Sequence, residues 1–307
     1  DKYDGDDDDV VDYDSRTIGG DLTLGYLLSE TWRVDYTLSL KYHKLRTGGT
    51  PFVQGYTFWH QYKEASDPWA ERSGRFFNYS IGVALTRNPL DRSVFPTAGS
   101  RQVLSGTVTV PGSDVRYYRL TAETFHYFPL DRDHNYVFAF RGRAGYANGY
   151  GNKNGMKERM PFWENFYLGS SEWMRGFDHN SVGPHAAYYR NHSDTSVGGN
   201  AFWTTTVEFY TPTPFLSETY RNSVRTSIFM DCGSLWDTRK SDYRKVASWD
   251  GVDFDDDNSA GKYRASVGVS LTWISPMGPL SFSLAKAIKK RSGDDTESFN
   301  FNIGGTF

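Results

Sequence analysis

The sequence predicts an all-β fold: an antiparallel transmembrane β-barrel of the outer-membrane type. Three observations carry this. Apolar and polar residues alternate with period 2 through most of the chain, and the polar positions repeatedly hold full charges. These are Asp35, Lys41, Arg119, Glu123, Arg141, Arg143, Glu208, Arg225 and Asp231. The connections also alternate in length. They are short to medium after residues 28, 128, 210 and 274, and long at 46–75, 147–200 and 232–262; only Pro111 to Asp114 is short on the long side. Finally, aromatics make up 17% of the 307 residues and there are 30 glycines. A soluble sandwich or large soluble barrel can alternate too. Strands apolar outward and polar inward, with short turns at one end and long loops at the other, describe a barrel in a membrane.

Composition narrows the function classes. No run of about 18 apolar residues exists, so no transmembrane helix is encoded. The mean hydropathy of −0.62 taken alone reads as soluble, but half of each barrel strand is polar. The net charge of −3 offers no basic surface for nucleic acid. Cys232 is the single cysteine, so no intrachain disulfide forms. No signal peptide precedes Asp1, which reads as a mature chain or a fragment.

Taken in order, the chain opens on an acidic stretch with Asp6 to Asp9, a solvated segment lacking the spacing of a helix-loop-helix Ca²⁺ site. Leu22, Leu24, Tyr26 and Leu28 share a strand face, and Ser29 to Thr31 form a tight turn. Val34, Tyr36, Leu38, Leu40 and Tyr42 then oppose Asp35, Thr37, Ser39, Lys41 and His43. Residues 46–75 are a long loop in which Phe58 to Lys63 allow one helical turn. Ile81, Val83 and Leu85 alternate again. Asn88 to Ser100, with Pro89 and Pro96, is a turn region. Leu104, Val108 and Val110 end at Pro111, Leu120 and Ala122 alternate with charges, and Phe138 and Phe140 oppose Arg141 and Arg143.

Beyond residue 200, Val207 and Phe209 oppose Thr206 and Glu208. Val224, Thr226, Ile228 and Met230 oppose Arg225, Ser227 and Asp231. A second acidic loop contains Asp255 to Asp257. The cleanest alternation sets Val267, Val269, Leu271 and Trp273 against Ser266, Gly268, Ser270 and Thr272. Ser275 to Gly278 turn the chain; Leu280, Phe282 and Leu284 follow, then Phe299, Phe301, Ile303 and Phe307. The predicted strands are eleven: 17–28, 32–45, 76–87, 101–110, 115–128, 136–146, 202–210, 223–231, 263–274, 279–288 and 299–307. Single-chain barrels have an even number, so the expectation is a chain that starts partway around its barrel and does not close by itself.

The segment 147–200 lacks clear alternation, and a loop of that length is usually functional or disordered. It contains Tyr167 to Phe177, with Met174-Arg175-Gly176-Phe177 at its core. One arginine beside a glycine and an aromatic suits a loop tip docked into a site; a surface loop with a chance arginine is the plainer reading. No catalytic constellation appears. His43, His60, His126, His134, His179, His185 and His192 lack metal-ligand spacing, and no Gly-x-Ser-x-Gly elbow is present. The expectation is no enzyme, no metal and no cofactor.

Tyr167 to Phe177 followed by Asn180 to Pro184 resembles the Val-Arg-Gly-Phe loop of the outer-membrane protein assembly factor family, with Met174 in place of the usual valine. Asn222 to Ser227 running into Asp231 to Thr238 is similar to that family's next strand. Trp273 to Leu280 and the ending Phe299 to Gly304 are similar to its last strands. The resemblance covers essentially the whole chain. It implies a barrel of about sixteen strands, of which residues 1–307 would be the last eleven. It implies N-terminal periplasmic POTRA domains outside the chain, and residues 147–200 as an extracellular loop docked in the lumen. Some members carry a disulfide in that loop; with Cys232 alone, this chain does not.

The resemblance further implies that Arg175 folds into the lumen with Gly176 and Phe177 and pairs with Glu208 and Asp231. The implied function is folding and insertion of β-barrel proteins in the bacterial outer membrane through a seam between first and last strands, without ATP. The seam would use Phe299, Phe301, Ile303, Gly304, Gly305 and Phe307, the adjacent glycines letting the strand bend and peel. Implied partners are outer-membrane lipids, unfolded β-barrel clients and accessory lipoproteins, with no nucleic acid. The competing readings are a two-partner secretion translocator and a passive outer-membrane pore.

Overall fold

The computed structural model describes residues 13–47, 53–62, 72–153, 156–170, 172–188, 191–214, 216, 223–239, 259–276 and 278–303. The acidic stretches Asp6 to Asp9 and Asp255 to Asp257 lie outside these residues, as do Met277, Gly304, Gly305 and Phe307.

Eleven strands form one antiparallel sheet in which every neighbour in space is the next long strand in the chain. They are β1 (Tyr13–Leu27), β2 (Trp32–Thr47), β3 (Arg72–Arg87), β4 (Gly99–Thr109), β5 (Tyr117–Pro129), β6 (Val137–Gly149), β11 (Ala201–Thr211), β12 (Val224–Trp236), β13 (Arg264–Ser275), β14 (Gly278–Lys289) and β15 (Phe299–Ile303). Four short strands lie within the long loop: β7 (Asn152–Lys153) pairs with β8 (Met156–Lys157), and β9 (His185–Tyr188) with β10 (Asn191–Ser196). Alternation had not shown these, because two to six residues are too few for a period to stand out. The helix α1 (Val53–Tyr62) is longer than the single turn expected at Phe58 to Lys63, and Lys63 lies outside the described residues.

The sheet is inside-out relative to a water-soluble one. Leu22, Leu24, Tyr36, Leu38, Ile81, Val83, Leu104, Ile228, Val269 and Leu284 are exposed, whereas Thr204, Thr206, Glu208, Ser227, Asp231 and Ser266 are buried. Only a wall facing lipid makes this distribution favourable, since its apolar side is matched by acyl chains and its strand hydrogen bonds are satisfied within the sheet. On β13, Val267, Val269 and Trp273 face outward, and Ser266 donates from its hydroxyl to the Arg175 carbonyl within the lumen. The alternation predicted both faces.

Register is continuous from β1 to β15, with one irregularity between Ala265 and Ser266. The turns fit their chemistry. At β1–β2 the Leu28 amide donates to the Trp32 carbonyl (2.9 Å), and Ser29 Oγ accepts from the Trp32 amide (3.2 Å). Gly278 enters β14 at φ +115°, a conformation that strains a residue with a Cβ. Among the described residues β1 pairs with β2 alone and β15 with β14 alone, so each has one unpaired edge.

The apolar core lies under the long-loop end, between loops and wall. Phe58 and Trp59 of α1 and Phe162 pack with Leu45 and Phe76 of the wall. Met174 and Phe177 of the long loop belong to the same cluster. Phe58 contacts Phe76, Phe162 and Trp163 edge-on at 5.5, 5.9 and 4.8 Å. This cluster holds the long loop down, so that its tip projects into the lumen.

Candidate functional site: the docked loop tip

The tip is a short reversal. Ser170 and Trp173 close it: the Ser170 amide donates to the Trp173 carbonyl at 2.9 Å and the Trp173 amide to Ser170 Oγ at 3.1 Å. Two left-handed residues follow closely, Met174 at φ +64° and Gly176 at φ +91°. The non-glycine one is the strained member, and its fully buried side chain in the core compensates. A Cβ on Gly176 would stand 3.1 Å from Ser266 Cβ and 3.2 Å from Ala285 Cβ, so the position requires glycine by both φ and space.

Between these two, Arg175 is presented to the wall. Its backbone amide and Nε donate to Asp231 Oδ2 at 3.0 and 2.9 Å, and Nη2 donates to Oδ1 at 3.0 Å. Nη1 donates to Glu208 Oε1 at 3.3 Å. The guanidinium lies 3.3 Å from the centre of the Phe229 ring, a stacked cation–π contact. Burial alone would pull the arginine's pKa down. The adjacent Asp231 and Glu208 carboxylates outweigh it and raise the pKa, so Arg175 stays charged.

The carboxylates are satisfied in turn. Asp231 accepts from Thr206 Oγ1 at 2.7 Å. Glu208 accepts from Ser227 Oγ at 2.5 Å and from Ser270 Oγ at 3.3 Å, and Arg141 Nη2 lies 3.6 Å from its other oxygen. Two arginines therefore face two carboxylates, and the quartet is formally neutral. A buried ionic group of this kind is tolerable because no charge is unpaired and the hydroxyls complete the acceptors. Neighbouring strands supply it: Glu208 pairs in register with Phe229 on β12 and Ala139 on β6, so Arg141 and Asp231 lie within reach on either side.

Trp173 turns to the β5 and β6 side of the wall. Arg141 and Arg143 lie 5.4 and 5.9 Å from its ring centre, and Phe125 meets it edge-on at 6.1 Å. Past Arg175, the Gly176 amide points at Asn300 Oδ1 of β15 at 3.5 Å. The Asp178 amide and Ser181 Oγ donate to the Asp295 carbonyl at 3.1 Å each. The loop thus touches β6, β11, β12, β13 and the approach to β15.

The structure brings Arg175, Glu208 and Asp231 together, sets Gly176 against Ser266 and Ala285, and places Phe177 in the apolar core beside them in the chain. Phe299, Phe301 and Ile303 stand apart from it, exposed on the outward face of β15, while Asn300 faces inward. Sequence reasoning missed Ser227, Ser266, Ser270, Thr206, Phe229, Trp173 and Asn300. The polar-face alternation marked several as inward, but their level along the barrel depends on strand register. Among the described residues no three His, Cys, Asp or Glu side chains converge as a metal site requires.

An antiparallel wall apolar outside, charged inside and plugged by a loop docked through a buried arginine defines a bacterial outer-membrane β-barrel protein. The Omp85 superfamily domain matches residues 2–307, and the chain belongs to that superfamily. It is 27% identical over 306 residues to the outer membrane protein assembly factor BamA of Neisseria meningitidis serogroup B, covering 97% of this chain and 37% of that protein. Among solved structures it is similar to BamA from Haemophilus ducreyi lacking POTRA domains 1–3. There the TM-score is 0.86 at 34% identity, over 96% of this chain and 55% of that one. CdiB from Escherichia coli has the same fold, with a TM-score of 0.53 at 14% identity, over 94% of this chain and 44% of that one. The chain thus spans little more than a third of the length of the curated relative and about half of the crystallised BamA chain.

Proposed function

We propose that the protein containing this chain assembles other β-barrel proteins in the outer membrane, and that the chain forms the carboxy-terminal part of its barrel. The likeness to BamA over nearly the full chain supports this reading. The observation that carries it is a lumen plugged by the Arg175 loop in a wall like that of BamA. A plugged lumen speaks against a passive pore. An unpaired strand edge is a template on which an incoming strand gains main-chain hydrogen bonds.

In this reading the work is done without a chemical step. Each client strand exchanges water for ladder hydrogen bonds and lipid contact, so no nucleotide or cofactor is required. Phe299, Phe301 and Ile303 face lipid along the seam, which lets a client strand add at the same depth. Gly304, Gly305 and Phe307 follow in sequence and lie outside the described residues. The larger barrel, its pairing partner for β15, its periplasmic domains and its accessory lipoproteins belong to the proposal as well.

The test is reconstitution of the full-length protein in liposomes with an unrelated unfolded outer-membrane barrel. Assembly activity predicts faster folding of that client, measured by its heat-modifiable mobility, with no ATP present. Secretion of one dedicated partner with no acceleration of client folding would favour a two-partner secretion translocator and sink the proposal.

A further inference from the structure

The outward wall is apolar through most of its height; cations stand at its long-loop end, Arg16, Lys44 and Arg75 on β1 to β3 and a lysine group on β14. Lys286 lies on β14 directly opposite Val267 of β13, exposed among Val267, Val269, Leu284 and Ile288, which are all exposed too. Tyr263 immediately precedes β13 at its long-loop end, roughly 13 Å from Val267 at the usual rise per residue. Beside it, Lys289 Nζ stands 3.5 Å from the centre of the Tyr263 ring. The Tyr263 ring lies 6.4 Å from that of Trp203, whose indole N–H donates to the Ala260 carbonyl at 2.9 Å. Lys290 follows, also exposed. Among the described residues no carboxylate pairs with Lys286, Lys289 or Lys290.

Such an arrangement has a physical meaning. Tyrosine and tryptophan at the rim of a membrane wall sit at headgroup level. A lysine just inside that rim cannot leave its ammonium in hydrocarbon, so its stem runs along the apolar wall and the charge rises to the headgroups. With no carboxylate among the described residues to meet it there, the anion we assign at that level is a lipid phosphate, which an ammonium binds as a point charge. We propose that Lys286, Lys289 and Lys290, framed by Tyr263 and Trp203, form a site for the phosphorylated headgroup of a lipid in the outer leaflet. It adjoins β15, the strand that follows β14 in the sheet. The site depends on the barrel's orientation in the membrane and not on the assembly activity.

The experiment uses the full-length protein in phosphatidylcholine nanodiscs containing a minor fraction of bisphosphorylated lipid A. Lipids retained on the released protein are counted by native mass spectrometry. Wild type retains lipid A, fails to retain its dephosphorylated form, and keeps the lipid in excess inorganic phosphate. Retention falls roughly a hundredfold in K286Q/K289Q/K290Q, the product of removing three cations near an anionic surface. The corresponding arginine triple variant keeps the lipid, as does Lys41→Gln on the inward face of β2. Equal retention of the dephosphorylated lipid, displacement by free phosphate, or an unaffected glutamine variant would each overturn the proposal. If the glutamine triple variant does not fold, the phosphate dependence of the wild type and the single K286Q variant decide.

Discussion

Arg175 and Asp231 are joined three times: by the arginine's backbone amide, its Nε and its Nη2, all at 2.9 to 3.0 Å. Glu208 meets the same guanidinium once, at 3.3 Å, and is shared with Arg141. The two carboxylates are therefore unequal partners. Asp231 fixes both backbone and side chain of the loop tip, whereas Glu208 balances charge between two arginines.

The first prediction is a ranking. Asp231→Asn, isosteric but uncharged, leaves the Arg175 cation under-compensated and is expected to destabilise docking by about 3–5 kcal/mol. Glu208→Gln is expected to weaken it less. Protease cleavage within residues 150–200 and the thermal midpoint of the folded barrel measure both; the reverse order would refute the inequality.

Arg175→Ala is expected to free the loop and lower client folding in the liposome assay. Arg175→Lys should restore only part, because an ammonium cannot reproduce the planar fork to Asp231 and the stack on Phe229. Full protease resistance and full activity in the alanine variant would make the pairing incidental.

Gly176→Ala tests the backbone alone. A left-handed φ costs a residue with a Cβ about 1–2 kcal/mol, and here that Cβ would also press on Ser266 and Ala285. The expected outcome is an intact barrel with a displaced tip, read as protease sensitivity of the loop with unchanged heat-modifiable mobility. An alanine variant indistinguishable from wild type would show that the tip relaxes freely.

The turn between β3 and β4 predicts a pH dependence. Partial burial pushes the Asp91 carboxyl upward. The Thr97 hydroxyl and the amides of Ala98 and Thr97 outweigh it and hold the group below the usual carboxylate range. A depressed folded-state pKa contributes stability that is present above the unfolded value and is lost as pH falls through the folded value. The thermal midpoint of Asp91→Asn should therefore lie below wild type at neutral pH, and the gap should close in acid below the ordinary carboxylate range. A gap independent of pH would rule the carboxylate out.

Much of the wall was legible from period 2, because a membrane barrel writes its two environments directly into alternating residues. Val267 and Ser266 are neighbours in sequence and opposites in surroundings, and that contrast needs no knowledge of neighbours in space. The inward direction of Glu208 and Asp231 was legible for the same reason. Their meeting with Arg175 was not: it rests on the docking of a loop, and the resemblance supplied it. Ser227, Ser270 and Asn300 were inward by alternation, yet their common level with Arg175 is set by register across five strands. Hairpins β7–β8 and β9–β10 were invisible because strands of two to six residues are too short to show a period. The lysines at the rim were not singled out from sequence, because their place beside Val267 and Ile288 depends on the pairing of β13 with β14.

The partners of Arg175 come later in the chain than Arg175 itself, Glu208 by 33 residues and Asp231 by 56. Asn300, which faces the Gly176 amide, comes 124 residues after it. A chain delivered from its amino end therefore carries the plug before it carries the socket. Until β12 is laid down the guanidinium has no carboxylate pair to enter, and it cannot have its full set of neighbours until β15 arrives. Docking of this loop is thus a late event in the protein's own biogenesis, and it reports that the final third of the wall is in place.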